Sequence, residues 1–98
     1  MSRSQRKAPR HGIPIEKRIT SIEELKQEAD GEADFALLLQ FGLFSRKTIR
    51  YDDATKLFSI WNHIDDTGEE LTEDELRKTN IGRAIRKGHF VKFAEDPA

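Results

Sequence analysis

Ninety-eight residues, 36% of them apolar and 36% charged, suffice for one modest hydrophobic core and not for two, and only if the apolar positions gather into a few segments. The absence of cysteine removes disulfide frameworks, thiolate nucleophiles, cysteine-based zinc sites and Cys-ligated iron–sulfur clusters. A net charge of −1 argues against a general affinity for nucleic acid, but the charge is divided. Residues 1–20 carry Arg3, Arg6, Lys7, Arg10, Lys17 and Arg18 against the single Glu16, whereas residues 65–75 carry Asp65, Asp66, Glu69, Glu70, Glu73, Asp74 and Glu75 with no base.

Residues 1–12 mix bases with Ser, Gln, Pro and Gly and have almost nothing apolar, which predicts a disordered basic tail. No apolar run of signal-peptide type follows it. The longest apolar stretch, Phe35–Leu39, is far too short to span a bilayer, so a cytoplasmic protein with no membrane contact is expected. Ile13, Ile15 and Ile19 alternate loosely around Pro14 as an extended lead-in lying against the core.

Ser21 begins a helix: its hydroxyl can accept from the Glu24 N–H, and the Glu24 carboxylate can reach back to the Ser21 N–H. Ile22, Leu25 and Ala29 give this helix one apolar face before Asp30-Gly31 stops it. From Asp34 to Phe41 the near-continuous apolar run fits a central strand covered on both faces, with a short helix as competitor. Residues 42–46 read as a loop. Residues 47–52 alternate, Ile49 and Tyr51 on one side and Thr48 and Arg50 on the other. With the turn at 53–56 and the β-forming residues Phe58, Ile60, Trp61 and Ile64, they predict a hairpin over 47–64.

Thr72 and Glu75 repeat the capping box and start a short helix ending near Lys78. Asn80 can cap a further helix over 81–87, with Gly88 as its stop, and 89–93 is a final strand. The order α-β-β-β-α-α-β predicts an α+β fold: a four-stranded, mostly antiparallel sheet with helices packed on one side. It forms a single domain over 13–94, with a frayed end at 95–98.

The string Gly42-Leu43-x-Ser45-x-Lys47-x-Ile49-x-Tyr51-Asp52, followed by Trp61-Asn62-x-Ile64-Asp65-Asp66, Leu71-Thr72-Glu73-x-Glu75-Leu76 and Thr79-Asn80-Ile81-Gly82-x-Ala84-Ile85-x-Lys87-Gly88, resembles a family of small uncharacterised single-domain bacterial proteins. The resemblance covers residues 19–94. It implies a bacterial origin and a single domain, and no activity, cofactor or site residue.

Four features carry chemistry. Arg46, Lys47 and Arg50 with Ser45 can hold phosphates of a nucleic acid or nucleotide, or simply form a solvated strand face with a cationic edge. His63 shares a strand face with Trp61 and Asp65, the material of acid–base chemistry, yet Asp65-Asp66-Thr67-Gly68 reads equally as a turn, and one His with one carboxylate is too little for a metal site. Trp61 and Tyr51 lie on adjacent strands and can form an exposed aromatic pair, although burial suits both. Asn80-Ile81-Gly82 opens a helix that can take an anion or simply an N-cap.

The segment 65–75 can mimic nucleic acid or dock a basic partner, or serve as a solvated loop and helix start. The tail bases Arg3, Arg6, Lys7 and Arg10 can contact an anionic partner, act as a solubilising end, or meet the chain's own acidic segment. No nucleophile elbow, Walker loop or dinucleotide fingerprint is present, and no cofactor or metal is called for. The expectation is a small non-catalytic binding or regulatory module with a protein partner. The alternative is a nucleic-acid-binding domain using the tail and the 45–50 segment, and an enzyme centred on His63 and Asp65 comes last.

Overall fold

The computed structural model describes residues 15–39 and 42–94. In chain order these form β1 (Ile15–Ile19), α1 (Ile22–Glu28), β2 (Ala33–Leu39), β3 (Gly42–Asp52), β4 (Leu57–Asn62), β5 (Thr67–Leu71), α2 (Glu73–Arg77), α3 (Asn80–Lys87) and β6 (Phe90–Phe93). The strands make one sheet, ordered β1-β6-β2-β3-β4-β5, in which every neighbouring pair is antiparallel.

The four-stranded sheet with helices on one side is therefore corrected. Among the described residues the sheet has six strands and makes up most of the molecule, while the helices are short segments of seven, five and eight residues. The two unexpected strands come from segments read otherwise. The lead-in around Ile15 is hydrogen-bonded to β6, from Ile15 opposite Phe93 to Ile19 opposite Phe90. The acidic stretch after Asp66 is β5, laddered to β4 from Asn62–Thr67 to Phe58–Leu71. Glycine and glutamate disfavour strands, so no local signal marked β5; it forms because β4 offers an open row of backbone donors and acceptors.

The predicted loop at 42–46 is likewise strand. It contains a bulge, since the β2–β3 register jumps between Phe35–Lys47 and Leu37–Phe44, leaving Ser45 and Arg46 opposite Ala36. Ser45 takes the left-handed conformation, φ 59°, that such a bulge needs. The expected hairpin is present as β3 and β4. Its turn is held by the Asp52 carboxylate, which accepts from the Ala54 N–H, and by the Asp52 carbonyl, which accepts from the Lys56 N–H.

One cluster of buried side chains joins sheet and helices: Phe35, Ile49, Tyr51, Phe58, Ile60 and Phe90 from the strands, Ile19 at the end of β1, and Leu25, Leu76, Ile81 and Ile85 from the helices. Phe35 and Phe90 stack at its centre, ring centroids 5.5 Å apart. Ion pairs tie α1 to the sheet rim: Lys92 Nζ lies 2.8 Å from Glu28 Oε1, and Lys17 Nζ lies 2.6 Å from Glu24 Oε2. Lys26 reaches from α1 to Glu73 of α2.

These pairs set an acid response. The hydrogen bond from Lys92 holds the Glu28 carboxyl below its usual 4.5, and Lys17 and Lys26 do the same for Glu24 and Glu73. A carboxyl depressed by folding contributes stability that is present above its unfolded value and is lost as the pH falls through the folded one. The melting temperature is thus expected to hold level at neutral pH and to fall below about pH 4.5, with a shallower fall in Glu28→Gln. Calorimetry from pH 7 to pH 2.5 checks this; identical slopes for wild type and variant would contradict it.

Helix starts follow the local chemistry with two adjustments. Ser21 caps α1 as expected, but Glu24 reaches back to the N–H and hydroxyl of Thr20, one residue earlier. Thr79, not Asn80, caps α3, its hydroxyl accepting from the N–H groups of Ile81 and Gly82. The Thr72–Glu75 capping box is complete, at 3.2 and 2.8 Å. With only five residues in α2, Thr72→Ala should cost about 1 kcal/mol, a melting shift of roughly 4–8 °C in a domain of this size. Thermal denaturation followed by circular dichroism reads it directly.

Candidate binding face of the hairpin

Strand alternation divides the hairpin. Ile49, Tyr51, Phe58 and Ile60 point into the core, so Thr48, Arg50, Ser59 and Trp61 occupy the reverse face. Cross-strand pairing extends that face into two rows. Asp34, Thr48, Trp61 and Gly68 stand opposite one another across β2, β3, β4 and β5. Arg50, Ser59 and Glu70 form the next row.

The first row ends in a hydrogen-bonded chain. Arg46, brought round by the bulge, donates to Asp34 Oδ2 at 2.5 Å, and Thr48 Oγ1 donates to Asp34 Oδ1 at 2.7 Å. His63 Nε2 lies 2.7 Å from the same hydroxyl. Ionised Asp34 only accepts and the threonine hydroxyl has one proton, so the His63 Nε2–H donates to Thr48. Burial pushes the Asp34 carboxyl up, but the hydrogen bonds from Thr48 and Arg46 and the Arg46 charge outweigh it and hold the group below its usual value. Arg46 also lies over the Phe93 ring, 5.8 Å from its centroid, so its charge is engaged on both sides.

Trp61 is 42% exposed. Its indole lies on Gly68, where a Cβ would come within 3.0 Å of the ring. A glycine in an edge strand thus gains a covering surface, and the indole gains a flat support. Arg50 makes no ion pair with any described residue. It lines, with Glu32, Thr48, Ser59, Trp61, Gly68 and Glu70, an open groove of about 390 Å³.

Four candidate side chains therefore meet on one face: Arg46, Arg50, Trp61 and His63. Lys47 does not join them. It stands opposite Phe35 and Asn62 on the rim of the core side, so Ser45, Arg46, Lys47 and Arg50 are no single cationic cluster. Trp61 and Tyr51 are separated by the sheet. Tyr51 is buried in a T-shaped pair with Phe58, centroids 4.6 Å apart, with Lys26 Nζ 5.5 Å from its ring centroid. The expectation of burial is met by Tyr51 and corrected for Trp61, because the pairing sets odd positions of β3 against even positions of β4, so Trp61 shares the outer face with Thr48.

His63 and Asp65 are not brought together as an acid–base pair. Asp65 accepts instead from the Asn62 side chain, whose oxygen caps the Ile64 N–H in the turn. No group of three His, Asp or Glu residues suited to a metal ion occurs among the described residues. The N–H groups at the start of α3 are taken up by Thr79, and Asn80 Oδ1 accepts from Arg83. The tail residues Arg3, Arg6, Lys7 and Arg10 lie outside the described residues. Asp34 and Ser59 were not singled out from the sequence, and Gly68 and Glu70 were read as parts of a turn and an acidic segment, since only strand register assigns all four to this face.

None of the described helices is long and apolar enough to cross a membrane. No family model, no curated protein and no solved structure matches the chain, so the resemblance noted in the sequence, and the bacterial origin it implies, gain no support there.

Proposed function

We propose that the chain is a non-catalytic binding module that engages a protein partner through the reverse face of the β3–β4 hairpin. The observation that carries this is the half-exposed Trp61 beside Arg50 on an otherwise self-satisfied polar face. Tryptophan and arginine supply most interface energy when their surroundings exclude water, and here Asp34, Arg46, Thr48 and His63 already satisfy one another and can serve as a pre-ordered rim. Nucleic-acid binding through the 45–50 segment is the weaker reading: Arg46 is committed to Asp34, Lys47 faces the other way, and Glu70 adds negative charge to the face.

The test compares full-length wild type with Trp61→Ala and Arg50→Ala in quantitative crosslinking from the native host. Each substitution should reduce the recovered partner at least tenfold, as expected for hot-spot residues, while the melting temperature shows that the domain remains folded. Undiminished recovery with both variants sinks the proposal. Amide spectra that change on adding DNA or RNA at low salt, and that lose the change with Arg46→Ala or Arg50→Ala, would transfer the face to the nucleic-acid reading.

A further inference from the structure

The strand β5 pairs with β4 on one side and with no described strand on the other. Its ladder is regular over all five pairs, without bulge or proline, and the charges that guard it against indiscriminate pairing are all acidic. Thr67, Gly68, Glu69 and Glu70 are all exposed. Such an edge presents backbone donors and acceptors ready for another strand.

The charge on this edge selects the strand. Glu70 shares the reverse face with Trp61 and Ser59, and Glu69, opposite Ile60, stands on the other side. Both faces of the edge are thus negative, and the whole segment 65–75 contains no base. Glu73 is already held by Lys26 and Arg77, but Asp66, Glu69 and Asp74 make no ion pair with any described residue. Two copies of the chain meeting edge to edge would set glutamates against glutamates, and phosphates would be repelled. An incoming strand with lysine or arginine on both of its faces meets opposite charge on each side. On the reverse face the Trp61 indole covers Gly68 and stays 42% exposed, so a lysine or arginine stem can lie along its outer surface with its cation toward the ring.

We propose that β5 is a docking edge for an extended, lysine- or arginine-rich segment of a partner protein, which adds to the sheet as a further strand. This rests on the chain being a protein-binding module and assigns the partner's chemistry.

The probe is a synthetic eight-residue peptide of lysine pairs alternating with threonine pairs, which places lysine on both faces of a strand, titrated into isotope-labelled full-length chain and followed by amide spectra. Saturable shifts are expected in Gly68–Leu71 and the Trp61 indole, with slowed amide exchange along β5. The affinity should weaken at least tenfold between 20 and 200 mM salt. A peptide of the same charge with a central proline, which removes a backbone donor, should bind at least tenfold more weakly, and so should the wild-type peptide to the folded double variant Glu69→Lys, Glu70→Lys. No saturable shift, or equal binding by the proline peptide, overturns the strand addition. Binding that appears only after residues 1–12 are removed would give the edge to the chain's own basic tail and would also overturn an external partner. Either failure leaves the hairpin-face proposal standing, because that is read separately from Trp61→Ala and Arg50→Ala against the natural partner.

Discussion

Gly82→Ala should lower the melting temperature by about 10 °C or more, the loss that roughly 2 kcal/mol of forced repacking produces in a domain of this size. Helix propensity alone predicts the opposite sign, since alanine inside a helix is favoured over glycine by about 0.5–1 kcal/mol. Geometry decides. A Cβ on Gly82 would fall 2.4 Å from the Arg77 carbonyl oxygen and 2.7 Å from its carbonyl carbon and Cα, all backbone atoms that cannot rotate aside.

The two helices come this close because α2 ends at Arg77 and α3 begins at Asn80, with Thr79 capping the second helix while its hydroxyl also donates to the Leu76 carbonyl. Arg86 of α3 further clamps the Arg77 carbonyl at 3.2 Å. To admit a methyl group, α2 would have to move and drag buried Leu76 out of the core. Thermal unfolding of Gly82→Ala followed by circular dichroism is the measurement. An unchanged or raised midpoint would mean that the helices do not meet in this way.

Phe35→Ala carries the largest expected loss, about 3–5 kcal/mol. Domains of this size are commonly stable by only about 5–15 kcal/mol, so the variant should be close to unfolding at 37 °C. Phe35 is fully buried, stacked on Phe90, and belongs to β2, which is flanked by β6 and β3. Its removal opens a cavity where strand and helix side chains converge, and the β-bulge opposite limits how far β3 can close over it. In urea, the midpoint should fall sharply with little change in slope, and Phe35→Leu should lose far less. A loss under about 1 kcal/mol would show that the stacked pair is not the centre of the core.

Both predictions concern a core whose residues could be read in advance; of the surfaces proposed for binding, the acidic charge of 65–75 was legible, but neither the hairpin face nor the strand edge that carries the charge was. The apolar run around Phe35 reads as a central strand with a short helix as competitor, and the strand reading holds, with Phe35 and Ala36 buried and Leu39 exposed. Ile49 and Tyr51 declare their side of the hairpin by simple alternation. By contrast, Asp34 looks like a strand-starting residue until the register sets it against Thr48, and Trp61 looks like core material until its parity with Ile60 turns it outward. Glu69 and Glu70 read as loop, because the partner that makes them a strand is a backbone edge and leaves no trace in side-chain pattern.

The amino-acid sequence was sufficient for much that depends on neighbours within about four residues: the caps at Ser21 and Thr72, the Gly88 stop, the turn at 53–56, and the alternation of residues 47–52, while the α3 cap fell on Thr79, one residue before Asn80. These are short-range hydrogen bonds and steric preferences, made or lost locally. Only the tertiary structure decided how many strands share the sheet, which charges face each other and where the edge lies. Strand pairing is written in backbone groups common to all non-proline residues, and its register is chosen by the whole core at once. That is why β1 and β5 appear only when β6 and β4 are there to receive them, and why Trp61, Arg50 and the acidic edge come together only in the folded chain.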